Sequence, residues 1–331
     1  MSTYEQLKGL KVKYLSADTS GDREVKGQLY YNSADFKLKS HLAVAAWSSS
    51  SHLINDKVAN GNVGIQTAAL SCGGFTSVPD GNPDRKVTTE AYSGVVWTAA
   101  ANMNTAKSSG VTYGTQTAAL AAQGESVNSE EYNGTSWTEG NNLGAVKYYT
   151  NRTGCGTQTA GLCAGGYDAS AGSPTSNVQE YDGTSWSEVN NAPAVLLRIA
   201  GCGVQTAAIL TGNQTNPKST IYLYDGTNWT TSPNASPSTN STTFAGTQAG
   251  GILAGGAPVP YNGTLSHRWD GTSFSVSANL AIAREAASAS STSLSSNFVC
   301  GGNNPGAVQD TTEEYSDGVV ISSVAKSIDF D

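Results

Sequence analysis

Few residues of this 331-residue chain have the types and spacing that chemistry needs. Its three histidines, His41, His52 and His267, fall at unrelated places and in no metal-ligand spacing, so they offer neither a zinc site nor a partnered general base. Five cysteines, Cys72, Cys155, Cys163, Cys202 and Cys300, cannot all pair with one another and include no C-x-x-C. They read as small buried thiols kept reduced, not as a disulfide framework. The most regular candidates are cations. Lys57, Lys107, Lys147 and Arg284 each stand ten residues after an aromatic residue (Trp47, Trp97, Trp137 and Phe274), and Arg198 stands twelve after Trp186. Gathered at one end of a symmetric fold, they would ring a channel mouth and hold an anion. Turned inward, they would form ion pairs with carboxylates such as Glu90 and Glu130. Both readings are open at this level.

No nucleophile elbow of the form G-x-S-x-G and no phosphate loop of the form G-x-x-x-x-G-K occurs. Gly154-Cys155-Gly156 opens like a dinucleotide loop, but Thr159 occupies the place of its third glycine. The expectation is a protein without enzymatic activity, cofactor or metal. Charged residues make up only 13% of the chain, and the net charge of -8 argues against wrapping a phosphate backbone, which needs clustered Lys and Arg. The charge is uneven. Residues 1–50 carry seven basic and five acidic residues, or +2, which leaves -10 on the rest. That asymmetry predicts a separate role for the N-terminal segment. No basic-flanked apolar run with a cleavage site opens the chain, so no signal peptide is expected, and no apolar stretch is long enough to insert in a membrane.

The elements that carry these residues are repeated. Gln66-Thr67-Ala68-Ala69-Leu70 returns at Gln116, Gln158 and Gln205 and, degenerately, at Gln248 and Ser293, at spacings of 50, 42, 47, 43 and 45. A double glycine or its relic follows each copy, as in Gly73-Gly74 and Gly301-Gly302. Then comes a Tyr-turn-Trp unit, as in Tyr92 to Trp97 and Tyr181 to Trp186. Each repeat reads as a four-stranded meander, which in the third covers about 152–156, 160–164, 178–181 and 184–188. Asp182-Gly183 predicts a type I′ hairpin with positive φ at both positions, and sets Trp186 diagonal to Tyr181 across the strands.

A four-stranded repeat whose second strand ends in Gly-Gly, with Tyr and Trp at a fixed interval afterwards, resembles the kelch propeller blade. The likeness covers residues 47–320 and implies an all-β fold, a six-bladed kelch-like β-propeller with a short N-terminal arm. Seven blades are the alternative, if residues 25–50 and the C-terminal tail build one more. The sixth copy has Tyr315 but no Trp, whereas Trp47 is unmatched and lies 19 residues before Gln66, the interval that separates Trp97 from Gln116. Trp47 is therefore expected on a strand that the N-terminus supplies to the last blade, which closes the ring and removes an exposed edge. The division expected is an arm over 1–40 with a hairpin from 28–31 and 36–39, a propeller over 41–321 and an acidic tail over 322–331.

Propeller folds host unrelated functions. Copper oxidases of the kelch kind would need more histidine ligands than this chain has. The Asp-Gly-Thr-Ser-Trp turn is only superficially like the Asp-box of sialidases, whose arginine and carboxylate set has no counterpart. The wording of the repeat, Gly-Thr-Gln-Thr-Ala-Ala-Leu and Glu-Glu-Tyr-Asn-Gly-Thr-Ser-Trp, is similar to a repeat of structural and tail proteins of marine bacteriophages. That resemblance implies a non-enzymatic virion protein assembled in a bacterial cytoplasm: a tail-fibre, tail-associated or capsid-surface module that binds a host-envelope glycan or neighbouring virion proteins, the latter through its N-terminal arm. A cellular kelch-type adaptor or adhesin is the alternative. Recognition is expected on the loops between the second and third strands, which differ in every repeat. Their candidate contact residues are Phe75, Asp80, Asn82, Arg85, Tyr167, Asp168, Asn213, Gln214, Tyr261, Asn303 and Asn304, types that stack on sugars and hydrogen-bond their hydroxyls.

Overall fold

The Ala-Ala-Leu segment of each repeat forms a strand buried on both faces, for example Ala68–Cys72, Ala118–Ala122 and Ala207–Thr211. Neighbouring sheets approach closely: on the strand before Ala68–Cys72, a Cβ on Gly61 would stand 2.3 Å from the Thr112 methyl of the next sheet. The computed structural model describes residues 13–15, 29–32, 37–40, 45–76, 84–122, 124, 126–148, 155–213, 219–234, 237–238, 240–256, 263–290, 296–304 and 307–317. Among these the fold is all-β, without a helix, and is built from four-stranded antiparallel sheets as in a β-propeller.

Strands a to d of the first sheet are Gly61–Ile65, Ala68–Cys72, Thr89–Tyr92 and Trp97–Ala100. The second to fifth sheets repeat this order, with strands a at Val111–Thr115, Cys155–Thr157, Ala200–Val204 and Thr243–Thr247. In the sixth, Ser288–Ser290, Ser296–Cys300 and Thr312–Ser316 are followed in the sheet by Ala46–Ser49, the strand that carries Trp47. Each strand a packs on strand a of the next sheet, and that of the sixth packs on that of the first. The apolar clusters lie between sheets. One joins Val63 and Leu70 of the first sheet to Ala119 and Trp137 of the second, and another joins Tyr92 and Trp97 to Phe298 and Cys300 of the sixth.

The turn between strands c and d differs from expectation. Tyr181 pairs directly with Trp186, not diagonally, and their ring centroids are 5.0 Å apart. Of the two turn residues only Gly183 has positive φ, at 93°. Asp182 keeps an ordinary backbone because its carboxylate Oδ1 accepts the N–H groups of Thr184 and Ser185 at 2.8 and 2.7 Å, replacing the backbone acceptor of a type I′ turn. Those N–H groups hold the Asp182 carboxyl below its usual range. Trp47 packs on Tyr315 with centroids 5.2 Å apart, as Trp97 does on Tyr92 at 4.9 Å.

The chain divides into two compact units, Trp47–Tyr315 and a second made of Met1–Ala46 with Ser316–Asp331. The divisions therefore fall at 46/47 and 315/316, and the acidic tail expected over 322–331 lies outside the described residues. In that second unit Leu29–Asn32 pairs antiparallel with Lys37–Ser40, Tyr30 opposite Lys39, close to the hairpin read from the sequence. Lys13–Leu15 adds to it in parallel, Lys13 opposite Tyr30. Nothing local in Lys-Tyr-Leu announces a strand, since the pairing is with residues far along the chain.

Candidate binding surfaces

Strand c carries two kinds of carboxylate, and its alternation sends them to opposite faces of the sheet. Glu90, Glu130 and Glu313 are 0–1% exposed and face the linker that leads into their own sheet. Glu90 accepts Ile54 N at 2.7 Å, Asn55 Nδ2 at 3.1 Å and Lys57 Nζ at 3.0 Å. Glu130 accepts the N–H groups of Asn104 and Thr105 at 2.7 and 2.9 Å, with Lys107 Nζ at 3.7 Å. Glu313 accepts Ala281 N at 2.6 Å and Arg284 Nη2 at 2.7 Å. Burial pulls the Lys107 ammonium below its usual range, opposed by Glu130.

Of the two readings open for the recurring cations, the structure favours the inward one, in which they pair with carboxylates such as Glu90 and Glu130. Lys57, Lys107, Lys147 and Arg284 are 0–5% exposed, and three of them meet a buried glutamate. A buried charge needs such a partner, whereas an open anion site would present it to solvent. Arg198 is out of register with the others. The residue ten after Trp186 is Leu196, and the strand c counterpart of Glu90 is Tyr222; both are buried in one apolar cluster, which stands in the fourth repeat where others have the ion pair. Arg198 is half-buried and has φ of 53°, like Ala59, Ser109, Ser241 and Ala286 at the same place in other repeats. These residues are strung together by backbone hydrogen bonds, Ser109 N to Ala59 O, Ala59 N to Ala286 O, Ala286 N to Ser241 O and Ser241 N to Arg198 O, at 2.9 to 3.3 Å.

The repeated glutamine has a role that the sequence did not disclose. Gln116 Nε2 donates to Ala69 O and Tyr92 O at 3.0 and 2.6 Å, bridging strands b and c of the preceding sheet. Gln158, Gln205 and Gln248 do the same to the second, third and fourth sheets. Gln66 reaches the sixth, at Asn297 O and Tyr315 O, 2.6 and 2.7 Å away. The glycine two residues earlier permits this. Gly64, Gly114, Gly156, Gly203 and Gly246 have φ of 97 to 144°, and a Cβ on any of them would lie 2.1 to 2.4 Å from a carbonyl oxygen four residues on. The double glycine also serves the joints. Gly74 N donates to Lys107 O, Gly166 N to Leu196 O, Gly256 N to Arg284 O and Gly302 N to Lys57 O, all at 2.7 to 2.9 Å.

The loop residues are placed as follows. Phe75 and Arg85 are half-buried and face each other across a short ribbon, Phe75–Thr76 with Asp84–Arg85. Tyr167 is half-buried and stacks on Tyr148 with centroids 5.8 Å apart and planes 11° from parallel. Asp168 spends Oδ1 on the N–H groups of Ser170 and Ala171. Asn213 is fully buried and is a structural residue, since it takes Leu197 N and gives Nδ2 to Val195 O. Asn303 and Asn304 are half-buried in a two-residue strand opposite Ala307 and Val308. Asp80, Asn82, Gln214 and Tyr261 lie outside the described residues. Among the described residues, no group of three or more His, Cys, Asp and Glu could hold a metal ion.

No protein-family model and no curated protein matches the chain. Among solved structures, that of YjhT superposes with a TM-score of 0.63 at 12% sequence identity, over 79% of this chain and 95% of its own length. At that identity the similarity is one of fold.

Proposed function

We propose that the six sheets form one closed, six-bladed ring of the kelch kind, and that the protein is a non-enzymatic binding and assembly module of a bacteriophage virion. In this reading it is a tail-fibre, tail-associated or capsid-surface component that contacts a host-envelope glycan or a neighbouring virion protein. The observation that carries the non-catalytic part is that the recurring polar residues are consumed by the joints. Gln66 and its counterparts bridge carbonyls, and Glu90, Glu130 and Glu313 are spent on linkers and buried cations. What varies between repeats is left to the loops after strand b. Closure with six sheets is supported by Gly302 N on Lys57 O at 2.7 Å and by Gln66 on the sixth sheet. The virion assignment rests on the wording of the repeat.

Two measurements test the reading. Gene neighbours encoding head and tail proteins, and the presence of this chain in purified virions by mass spectrometry, are expected. A gene set among cellular functions, with no virion-borne protein, would sink it in favour of a cellular adaptor. On an array of bacterial envelope glycans, retention of at least one glycan is expected for the receptor-binding branch.

A further inference from the structure

Besides its buried glutamates, strand c carries a second carboxylate on the opposite face, which meets a tyrosine of the following sheet. Tyr181 Oη donates to Glu131 at 2.5 Å, Tyr224 Oη to Glu180 at 2.9 Å and Tyr92 Oη to Glu314 at 2.6 Å. The joint between the sixth and first sheets has one more member. Ser50, three residues after Trp47, donates its hydroxyl to Glu314 at 3.0 Å and also bonds the Tyr92 hydroxyl. The joint between the fifth and sixth sheets has the same feature, Ser277 Oγ lying 3.0 Å from Tyr315 Oη. These two joints thus fill the position with an aliphatic hydroxyl, whereas the joint between the first and second sheets has Ala100 there, and Ala91 in place of the strand c carboxylate.

Between the second and third sheets that hydroxyl is missing. The residue three after Trp137 is Gly140, and its backbone is placed like that of Ser50: Gly140 N donates to Ser129 O at 2.9 Å, as Ser50 N does to Thr312 O at 2.9 Å. A Cβ on Gly140 would stand 3.7 Å from Tyr181 Oη, the direction in which Ser50 reaches Tyr92. In its place is an open cleft of about 330 Å³ lined by Glu131, Thr138, Gly140, Asn141, Tyr181 and Thr184. Glu131 uses one oxygen on Tyr181, and its other oxygen accepts nothing among the described residues. In the next joint Val189 occupies the equivalent position with a side chain that offers no hydroxyl.

We propose that this cleft binds a neutral saccharide, one hydroxyl of which takes the place that Ser50 Oγ takes in the other joint, donating to Glu131 and meeting the Tyr181 hydroxyl. A carboxylate is a strong acceptor for a sugar hydroxyl, and the Thr138 and Thr184 hydroxyls flank it. Glu131 and the neighbouring Glu139 disfavour anionic sugars. The inference rests on the reading of the protein as a glycan-binding module, but it puts the site at the outer joint and not on the variable loops.

The test is an array of neutral and anionic oligosaccharides probed with the full-length protein, Gly140→Ser, Glu131→Gln and a variant with the 75–89 loop replaced. Gly140 has no positive φ, so serine suits its backbone; its Cβ would stand 2.9 Å from Ser129 Oγ, which must turn aside for the new hydroxyl to enter the cleft as Ser50 does in the other joint. A neutral glycan is expected to bind the wild type, to lose about tenfold or more in affinity with Gly140→Ser and with Glu131→Gln, and to be indifferent to the loop. Glu131→Gln keeps the shape of the cleft and so covers a misfolded Gly140→Ser. Full binding by both point variants, with loss in the loop variant, overturns the cleft and leaves the glycan-binding reading standing. Preference for anionic glycans also overturns the cleft. No retention of any glycan by the wild type overturns both.

Discussion

Gln66 Nε2 donates to the carbonyl of Tyr315 at 2.7 Å, tying the first repeat to the last across 249 residues. The same side chain holds Asn297 O and accepts the Ser296 hydroxyl at 2.5 Å. A bond that looks like a local feature of a repeated pentapeptide is therefore the fastening between the two ends of the larger unit.

Gln66→Ala is expected to lower stability by about 1–3 kcal/mol, because two strand-end carbonyls lose their donor. Urea denaturation of the variant and the wild type gives the number, and equal stability of the two would rule out the fastening.

Lys57→Met is expected to cost about 3–5 kcal/mol, since it leaves the Glu90 carboxylate buried without its cation. The control is Lys86→Met. Its partner Asp84 is 66% exposed, so the loss there should stay below about 1 kcal/mol. Denaturation midpoints compare the two.

Trp47→Ala removes the ring that packs on Tyr315 and donates to Ser266 Oγ at 3.3 Å. Because Trp47 is only half-buried, the cost should lie near the low end for such truncations, about 3 kcal/mol. Deleting residues 1–50 should go further and expose the edge of strand c in the sixth sheet, seen as concentration-dependent aggregation. A truncated protein as stable and as soluble as the full chain contradicts this.

All five cysteines are free and buried, so none should react with iodoacetamide in the native state, and all five should react after unfolding. Burial pushes the Cys72 thiol up to about 12 and the Cys300 thiol to about 11 from an ordinary value near 9.0. A pKa raised in the folded state contributes stability that is complete below pH 9 and lost as pH rises through 11 to 12. Alkaline thermal scans should show a falling midpoint over that range, and Cys72→Ala should flatten it.

The sequence alone revealed the four-stranded repeat, its glycine punctuation and the recurrence of Tyr and Trp on neighbouring strands, though not their direct register, because periodicity, turn residues and strand propensity act over a few residues. It also placed Trp47 at the right interval. What it misread were side chains whose partners lie elsewhere. Arg198 was grouped with the lysines despite an interval of twelve and not ten, and those two residues decide whether a side chain faces a buried glutamate or sits in the left-handed backbone position. Asn213 looked like a loop contact but clamps the neighbouring backbone. The glutamine was visible as a signature and silent as a fastening, since its acceptors are carbonyls of another sheet. The Gly140 cleft is legible only beside Ser50, once both are seen at equivalent joints. Local sterics determine the strand, and the apposition of one sheet on the next decides whether a carboxylate is spent on the core or left open to a ligand.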